Sequence, residues 1–290
     1  MVIDLIRRLI RRIRPTSAAR AMALTFIASL VLSAALPINS SQGAVEEARP
    51  VIRLEIKGAI GVASELYLSE GIEEARSKSA SLIVISLDTP GGLVSSTRKI
   101  IQQILASDIP IVVYVSPSGG HAASAGTYIV YAAHIAAMAP GTNIGAATPI
   151  QLGGVPGLPG SPDPEPEDRD RPRSPGEGPQ STAELKSVND AVAFLRSLAQ
   201  LRGRNAEWAE KAVISAATLT AEDALKEGVI DFVARDVNEL MTMVEGRTVP
   251  LGAGTIVVEV KGQPIETLSP SWQAQVLNVI ADRRCCVTHA

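Results

Sequence analysis

The sequence predicts an α/β domain built on a largely parallel sheet, and three observations carry that prediction. Two apolar runs, "SLIVISLD" and "IPIVVYV", are continuous rather than alternating, as in strands covered on both faces. Segments with apolar residues at helical spacing alternate with these runs. Of the 290 residues 46% are hydrophobic, enough for one sizeable core, and only 3% are aromatic. Ala, Val, Ile and Leu must therefore do most of the packing.

The elements follow in order. "VIRLEIKGAI" reads as a strand and "ASELYLSEGIEEARSK" as a helix. "SLIVISLD" is a strand, "STRKIIQQILAS" a helix and "IPIVVYV" a strand. "ASAGTYIVYAAH" reads as a small-residue helix, and "IAAMAP" and "NIGAATP" as short strands. Residues 151–180 then hold eight prolines, six glycines and nine charged residues. Such a segment buries too little apolar surface to offset its ordering entropy, so a mobile insert is expected. Helices resume at "STAELKSVNDAVAFLRSLAQLRGR", where Val188, Ala191, Leu195 and Leu198 share a face. "NAEWAEKAVIS" and "TAEDALKEG" are short helices, the second opened by Thr220 with Asp223 in a capping box. "VIDFVARD" reads as a strand, "VNELMTMVEG" as a helix, "TIVVEVKG" as the final strand and "SPSWQAQVLNVIADRR" as an amphipathic helix. The last eight residues lose the pattern.

The net charge of −3 hides an asymmetry. Residues 1–20 carry six arginines against Asp4, a local +5, which leaves −8 on the remainder. An acidic body gives no footing for nucleic acid, which needs a basic face. The arginines precede sixteen uncharged, mostly apolar residues, 21–36, in the order of a secretory signal or short anchor. Cleavage after Ala35 or Ala44 fits small-residue rules loosely. Residues 1–44 are thus expected to target the chain to the membrane and the rest to lie on its extracytoplasmic face.

The only cysteines, Cys285 and Cys286, are adjacent, a poor geometry for a disulfide, and have no metal-ligand spacing. His121, His134 and His289 are too scattered to suggest a metal site. The reading implies no metal and no cofactor.

Two glycine-rich turns follow buried strands. Gly91 and Gly92 open a helix, where unpaired N–H groups suit an anion or a developing oxyanion. A plain tight turn fits as well, and neither G-x-G-x-x-G nor a P-loop lysine is present. In "GGHAASAGTY", Ser124 would start the next helix, either as an N-cap or as a nucleophile in a close-packed turn. A nucleophile needs a base. His121 would need an unusual turn to face the hydroxyl, and His134 lies ten residues on, roughly 15 Å by helix rise. A lysine that loses its charge on burial can serve instead. The chain has seven lysines and spacing selects none of them. Lys186 fits equally a solvated pair with Asp190, four positions on.

"DTPGGLVSSTRKI", "VVYVSPSGGHAASAGTYI", "AAMAPGTNIGAATP" and "SLAQLRGRNAEWAEKAV" together resemble the NfeD-type membrane-bound serine proteases, the partners encoded beside stomatin-like proteins. The resemblance runs from about Val51 to Ile280. It implies a Clp protease/crotonase-like fold of repeated β-β-α units, shared with the signal-peptide-peptidase group. It also implies a Ser-Lys dyad of Ser124 and Lys186, with the backbone N–H groups of Gly92, Gly91 and Ala125 as oxyanion donors. "TNIGAATP" lacks the histidine that Clp proteases carry there, in keeping with lysine. The implied substrate is an apolar segment such as the C-terminal region of a stomatin-like protein, and a homodimer is implied. The protease domain would span 45–280, with the 151–180 insert between nucleophile and base as a lid. A non-catalytic scaffold that binds stomatin-like partners is the competing reading. Long family members continue into membrane helices and a small β-barrel. A frameshift or truncation near Ala281, or a genuine short form, would account for the irregular tail at 281–290.

Overall fold

The computed structural model describes residues 48–149 and 182–287. The basic start, the apolar run 21–36, the 151–180 insert and the last three residues of the tail lie outside them.

Six strands form one sheet: β1 (Val51–Lys57), β2 (Leu82–Asp88), β3 (Ile111–Val115), β5 (Ile135–Met138), β8 (Phe232–Val233) and β11 (Ile265–Thr267). Their order is β11-β1-β2-β3-β5-β8 and every pairing is parallel. The continuous apolar runs explain the layering. Ile83, Ile85 and Leu87 point to one face with Ile111, Val113 and Val115. Leu82, Val84, Val112 and Tyr114 point to the other. The first face is covered by α1 (Val62–Ser77), α2 (Val94–Leu105), α3 (Ala125–Ala132), α4 (Thr182–Arg202) and α5 (Ala206–Ile214). The second is covered by Leu240 and Val244 of α7 (Val237–Val244), with Val249, Val258 and Val260. Each fully buried Ile, Leu or Val contributes about 1.5–3 kcal/mol of transfer free energy, so these runs supply most of the core.

A smaller sheet carries the site. It has the order β4-β6-β7, from β4 (His121–Ala123), β6 (Asn143–Gly145) and β7 (Thr218–Thr220). A single bridge, Thr89 to Ala122, joins the end of β2 to β4. The expected helix face holds: Ala191, Leu195 and Leu198 are buried and Val188 packs against them. Thr220 caps α6 (Ala221–Lys226), its Oγ1 accepting from the Asp223 N–H at 3.2 Å.

Three expectations need correction. "TIVVEVKG" is not the last strand: it supplies β10 (Gly254–Val257), which pairs antiparallel with β9 (Thr248–Leu251), and β11 follows it onto the edge of the main sheet. "VIDFVARD" yields only two strand residues, because Asp231 is taken by Arg204 and by the Ala136 N–H. Helix α8 (Trp272–Val287) runs on into the segment read as patternless. Among the described residues no helix is long and apolar enough to cross a membrane.

Candidate active site

Ser124 stands between β4 and α3 with φ 50° and ψ −113°, a left-handed conformation that a non-glycine residue adopts only when its surroundings impose it. The imposition is visible on both sides. The Ser124 N–H donates to Gly145 O at 2.9 Å, and the Ala123 N–H donates to Thr89 O at 3.0 Å. Thr127 Oγ1 donates within the turn, 3.0 Å from Ala122 O and 2.9 Å from Gly145 O. Small residues are required here. A Cβ on Gly126 would sit 2.7 Å from Thr89 Cγ2 and 3.1 Å from Ala122 Cβ. The alternative of an N-cap serine fails, since the Ser124 side chain makes no capping hydrogen bond.

The first glycine turn meets this one. A Cβ on Gly91 would lie 2.8 Å from Ser124 Cβ and 3.2 Å from its Oγ, and Gly91 has φ +126°. Gly92 is wedged against Ile60: an added Cβ would stand 2.1 Å from Ile60 O. The Ile60–Gly92 bridge uses the Gly91 carbonyl (2.7 Å) and the Leu93 N–H (2.9 Å), so the Gly92 N–H takes no part in it. The Ala125 N–H is the first of α3 and has no partner within the helix. Gly91 departs from the sequence expectation. Its N–H donates to Thr89 Oγ1 at 3.1 Å, so what Gly91 offers Ser124 is space rather than a free donor.

Ser124, Ala125 and Gly92 line one cavity of about 80 Å³. Val94, Thr97 and Arg98 of α2 form one wall, Tyr128 of α3 the floor, and Ser187, Asp190, Ala191 and Phe194 of α4 the facing wall. Tyr128 and Phe194 stack with centroids 6.0 Å apart, and the Tyr128 hydroxyl donates to Ala147 O at 3.0 Å. The lining is mostly apolar with a few polar groups, the common make-up of a ligand pocket. Lys186 precedes Ser187 on α4. It is exposed and is not among the residues that line the cavity.

The histidines are placed elsewhere. His121 Nδ1 lies 3.3 Å from Asp88 Oδ1, away from the cavity. His134 is buried at the far end of α3, where its Nδ1 accepts from the Ile111 N–H at 3.1 Å. Burial, helped by the charges of Arg202 and Arg204, pushes its pKa down to about 3, so it is a neutral acceptor in the native protein. No group of three or more metal-ligating side chains occurs among the described residues.

Sequence reasoning missed Thr89 and Thr127, which hold the turn, and the arginines that cap α3. Arg204 donates to Tyr131 O (3.0 Å) and Ala133 O (2.9 Å) and pairs with Asp231 at 2.9 Å. Arg202 donates to Ala132 O at 2.9 Å. Cations on the terminal carbonyls complement the helix dipole, with Ser124 at the opposite, positive end. The signal was in "RGRN", but no local rule links it to a helix end 70 or more residues earlier.

Comparison with known proteins agrees with this architecture. A family model described as "NfeD1b, N-terminal domain" matches residues 50–156. The membrane-bound protease PH1510 of Pyrococcus horikoshii is 37% identical over 230 residues, which are 79% of this chain and 47% of that protein. The chain thus spans about half the length of that relative. Among solved structures, a lysine-to-alanine mutant of the 1510-N membrane-bound stomatin-specific protease, in complex with a substrate peptide, is 35% identical. It superposes with a TM-score of 0.67 and covers 81% of this chain and 99% of its own. A serine-to-alanine mutant of the same protease is 37% identical with a TM-score of 0.65, over 77% of this chain and 99% of its own. The chain belongs to the NfeD-type family of membrane-bound proteases.

Proposed function

We propose that this chain is a membrane-associated serine endopeptidase that cleaves apolar peptide segments, such as the C-terminal region of a stomatin-like protein, with a Ser124–Lys186 dyad. The observation that carries the reading is Ser124 itself. Its hydroxyl is uncapped, its backbone is held in the left-handed region, and it opens on a mostly apolar cavity beside two N–H groups free of helix and bridge bonds. The alanine mutants of one serine and one lysine among the solved relatives support a serine–lysine pair.

In this mechanism neutral Lys186 takes the Ser124 proton as Oγ attacks the peptide carbonyl. The Gly92 and Ala125 N–H groups hold the tetrahedral oxyanion, the leaving amine departs with the proton, and water releases the acyl-enzyme. Lys186 adjoins Ser187, which lines the cavity, and in this reading its long side chain turns inward to reach Ser124. Residues 1–44 would carry the membrane signal or anchor and 45–280 the protease domain, with 151–180 as an insert between Ser124 and Lys186. The active form would be a homodimer on the extracytoplasmic face, without cofactor.

Cleavage of an apolar stomatin-like C-terminal peptide tests the dyad. The full chain should cut it, Ser124→Ala and Lys186→Ala should not, and a fluorophosphonate probe should label only proteins with Ser124 intact. Binding without cleavage or labelling would favour the scaffold reading. Unchanged cleavage by Lys186→Ala would assign the base elsewhere.

A further inference from the structure

Lys186, Asp190 and Phe194 lie four residues apart along α4, so they form one ridge of that helix. An isolated helix of this sequence would let Asp190 answer the charge of Lys186. The structure gives Asp190 a different partner. The Arg98 guanidinium, from α2 on the facing wall, donates to Asp190 Oδ2 and lies 4.4 Å over the centre of the Phe194 ring. One arginine thus grips two of the three ridge residues, and Phe194 passes the contact on to Tyr128 of α3 by stacking. All three grips border the Ser124 cavity.

We propose that Arg98 is a positioning residue for the general base: it ties the base-bearing half of α4 across the cleft and withholds Asp190 from Lys186. The inference rests on the Ser124–Lys186 reading. A base must be neutral to accept the serine proton, and a carboxylate one turn away would favour its charged form. With Asp190 committed to Arg98, that carboxylate is spent on a cation that stays charged at any working pH. Other charged and titratable groups on the packed elements leave the assignment intact. From α5, Glu210 is held by Arg196 at 2.5 Å. From α2, Lys99 is held by Glu65 at 3.0 Å. From α3, burial raises the Tyr128 pKa, so it stays neutral. On α4 itself, Glu184 is engaged by a partner of its own and lies two positions from Lys186, off the ridge.

The test is the pH dependence of kcat/KM for peptide cleavage by the full chain. Activity rises as the base loses its proton, so the acid limb reports the base in the free enzyme. Arg98→Ala frees Asp190 to face Lys186 and should move that limb to higher pH by about 0.3 of a unit. Arg98→Ala combined with Asp190→Asn should return the limb to its original position, while Asp190→Asn alone leaves it there and lowers kcat. Arg98→Lys retains a cation for Asp190 and should keep the limb in place. A merely structural role for Arg98 predicts lower activity at every pH with the limb fixed, and that result would overturn the proposal. So would a shift that persists in the double variant. Cleavage that survives Lys186→Ala would instead remove the dyad itself, and this inference with it.

Discussion

The two walls of the cleft are built on different principles. The Ser124 wall is close-packed around three glycines: Gly92 meets the Ile60 backbone, Gly91 the Ser124 side chain and Gly126 the Thr89 methyl, with main-chain hydrogen bonds on both sides of Ser124. The facing wall is one helix, α4, on which Lys186 and Asp190 are exposed, Asp190 is paired with Arg98, and Phe194 lies under the same guanidinium. The first wall fixes an atom to a fraction of an ångström because steric overlap rises steeply. At the cleft the second rests on polar, part-exposed side-chain contacts that solvent screens, so it is the more adjustable of the two.

The largest effect that would sharpen this contrast is at Gly92. Gly92→Ala places a Cβ 2.1 Å from Ile60 O and 2.5 Å from Ile60 N, both backbone atoms that no rotamer change can clear. The β1–α1 connection must move, and a loss of roughly 3 kcal/mol is expected, read as a lower denaturant midpoint. Lys186→Ala should alter stability by less than about 0.5 kcal/mol, because it removes an exposed side chain. If the two variants proved equally stable, the division between the walls would fail.

Gly91→Ala should separate geometry from stability within the rigid wall. Its φ of +126° is costly for alanine, and its Cβ would press on Ser124 at 2.8 Å. Cleavage should fall by about 100-fold, the scale set by an ångström of misplacement at a reacting atom. Cleavage at the original rate would show that Ser124 does not need this neighbour.

The arginines at the far end of α3 extend the rigid wall to both ends of that helix. Arg204 is 8% exposed, and Arg204→Ala would take one donor from Asp231, which keeps the Ala136 N–H, and the guanidinium donor from the Tyr131 and Ala133 carbonyls. Because Asp231 is part-exposed, a loss of about 2 kcal/mol is expected, measurable by chemical denaturation. A loss below about 1 kcal/mol would mean that α3 is held by apolar packing alone.

What the sequence disclosed follows the same division. β2 and β3 were legible because a strand buried on both faces writes itself as an uninterrupted apolar run. The α4 face was legible because Ala191, Leu195 and Leu198 repeat at helical spacing. Ser124 stood out by its small neighbours, and those neighbours do pack where a Cβ would clash. β4, β6 and β7 were not all legible, since three-residue strands carry no period and exist through their neighbours. The separate parts of Gly91 and Gly92 were not legible either. The difference depends on Thr89 Oγ1 and on Ile60, positions that sequence spacing does not connect with the turn. Nor could spacing choose between Lys186 and Arg98 as the partner of Asp190, because Arg98 reaches it from another helix.

The prediction farthest from the chemistry concerns acid stability. His134 is neutral in the folded chain, its pKa pushed down to about 3 first by burial and then by Arg202 and Arg204. Unfolded, it titrates near the ordinary histidine value of about 6.5. Above that value both states are neutral and the group has no effect on the balance. As pH falls below about 6.5 the unfolded chain takes up a proton that the folded chain refuses, so stability drops with a limiting slope of about 1.4 kcal/mol per pH unit until about pH 3. His134→Gln keeps an acceptor for the Ile111 N–H but removes the proton site. Unfolding free energies measured from pH 7 to pH 4 should therefore fall less steeply in the variant than in the parent. Parallel curves would mean that His134 takes up its proton in place, and that the arginine end of α3 opens to water well before the serine end does.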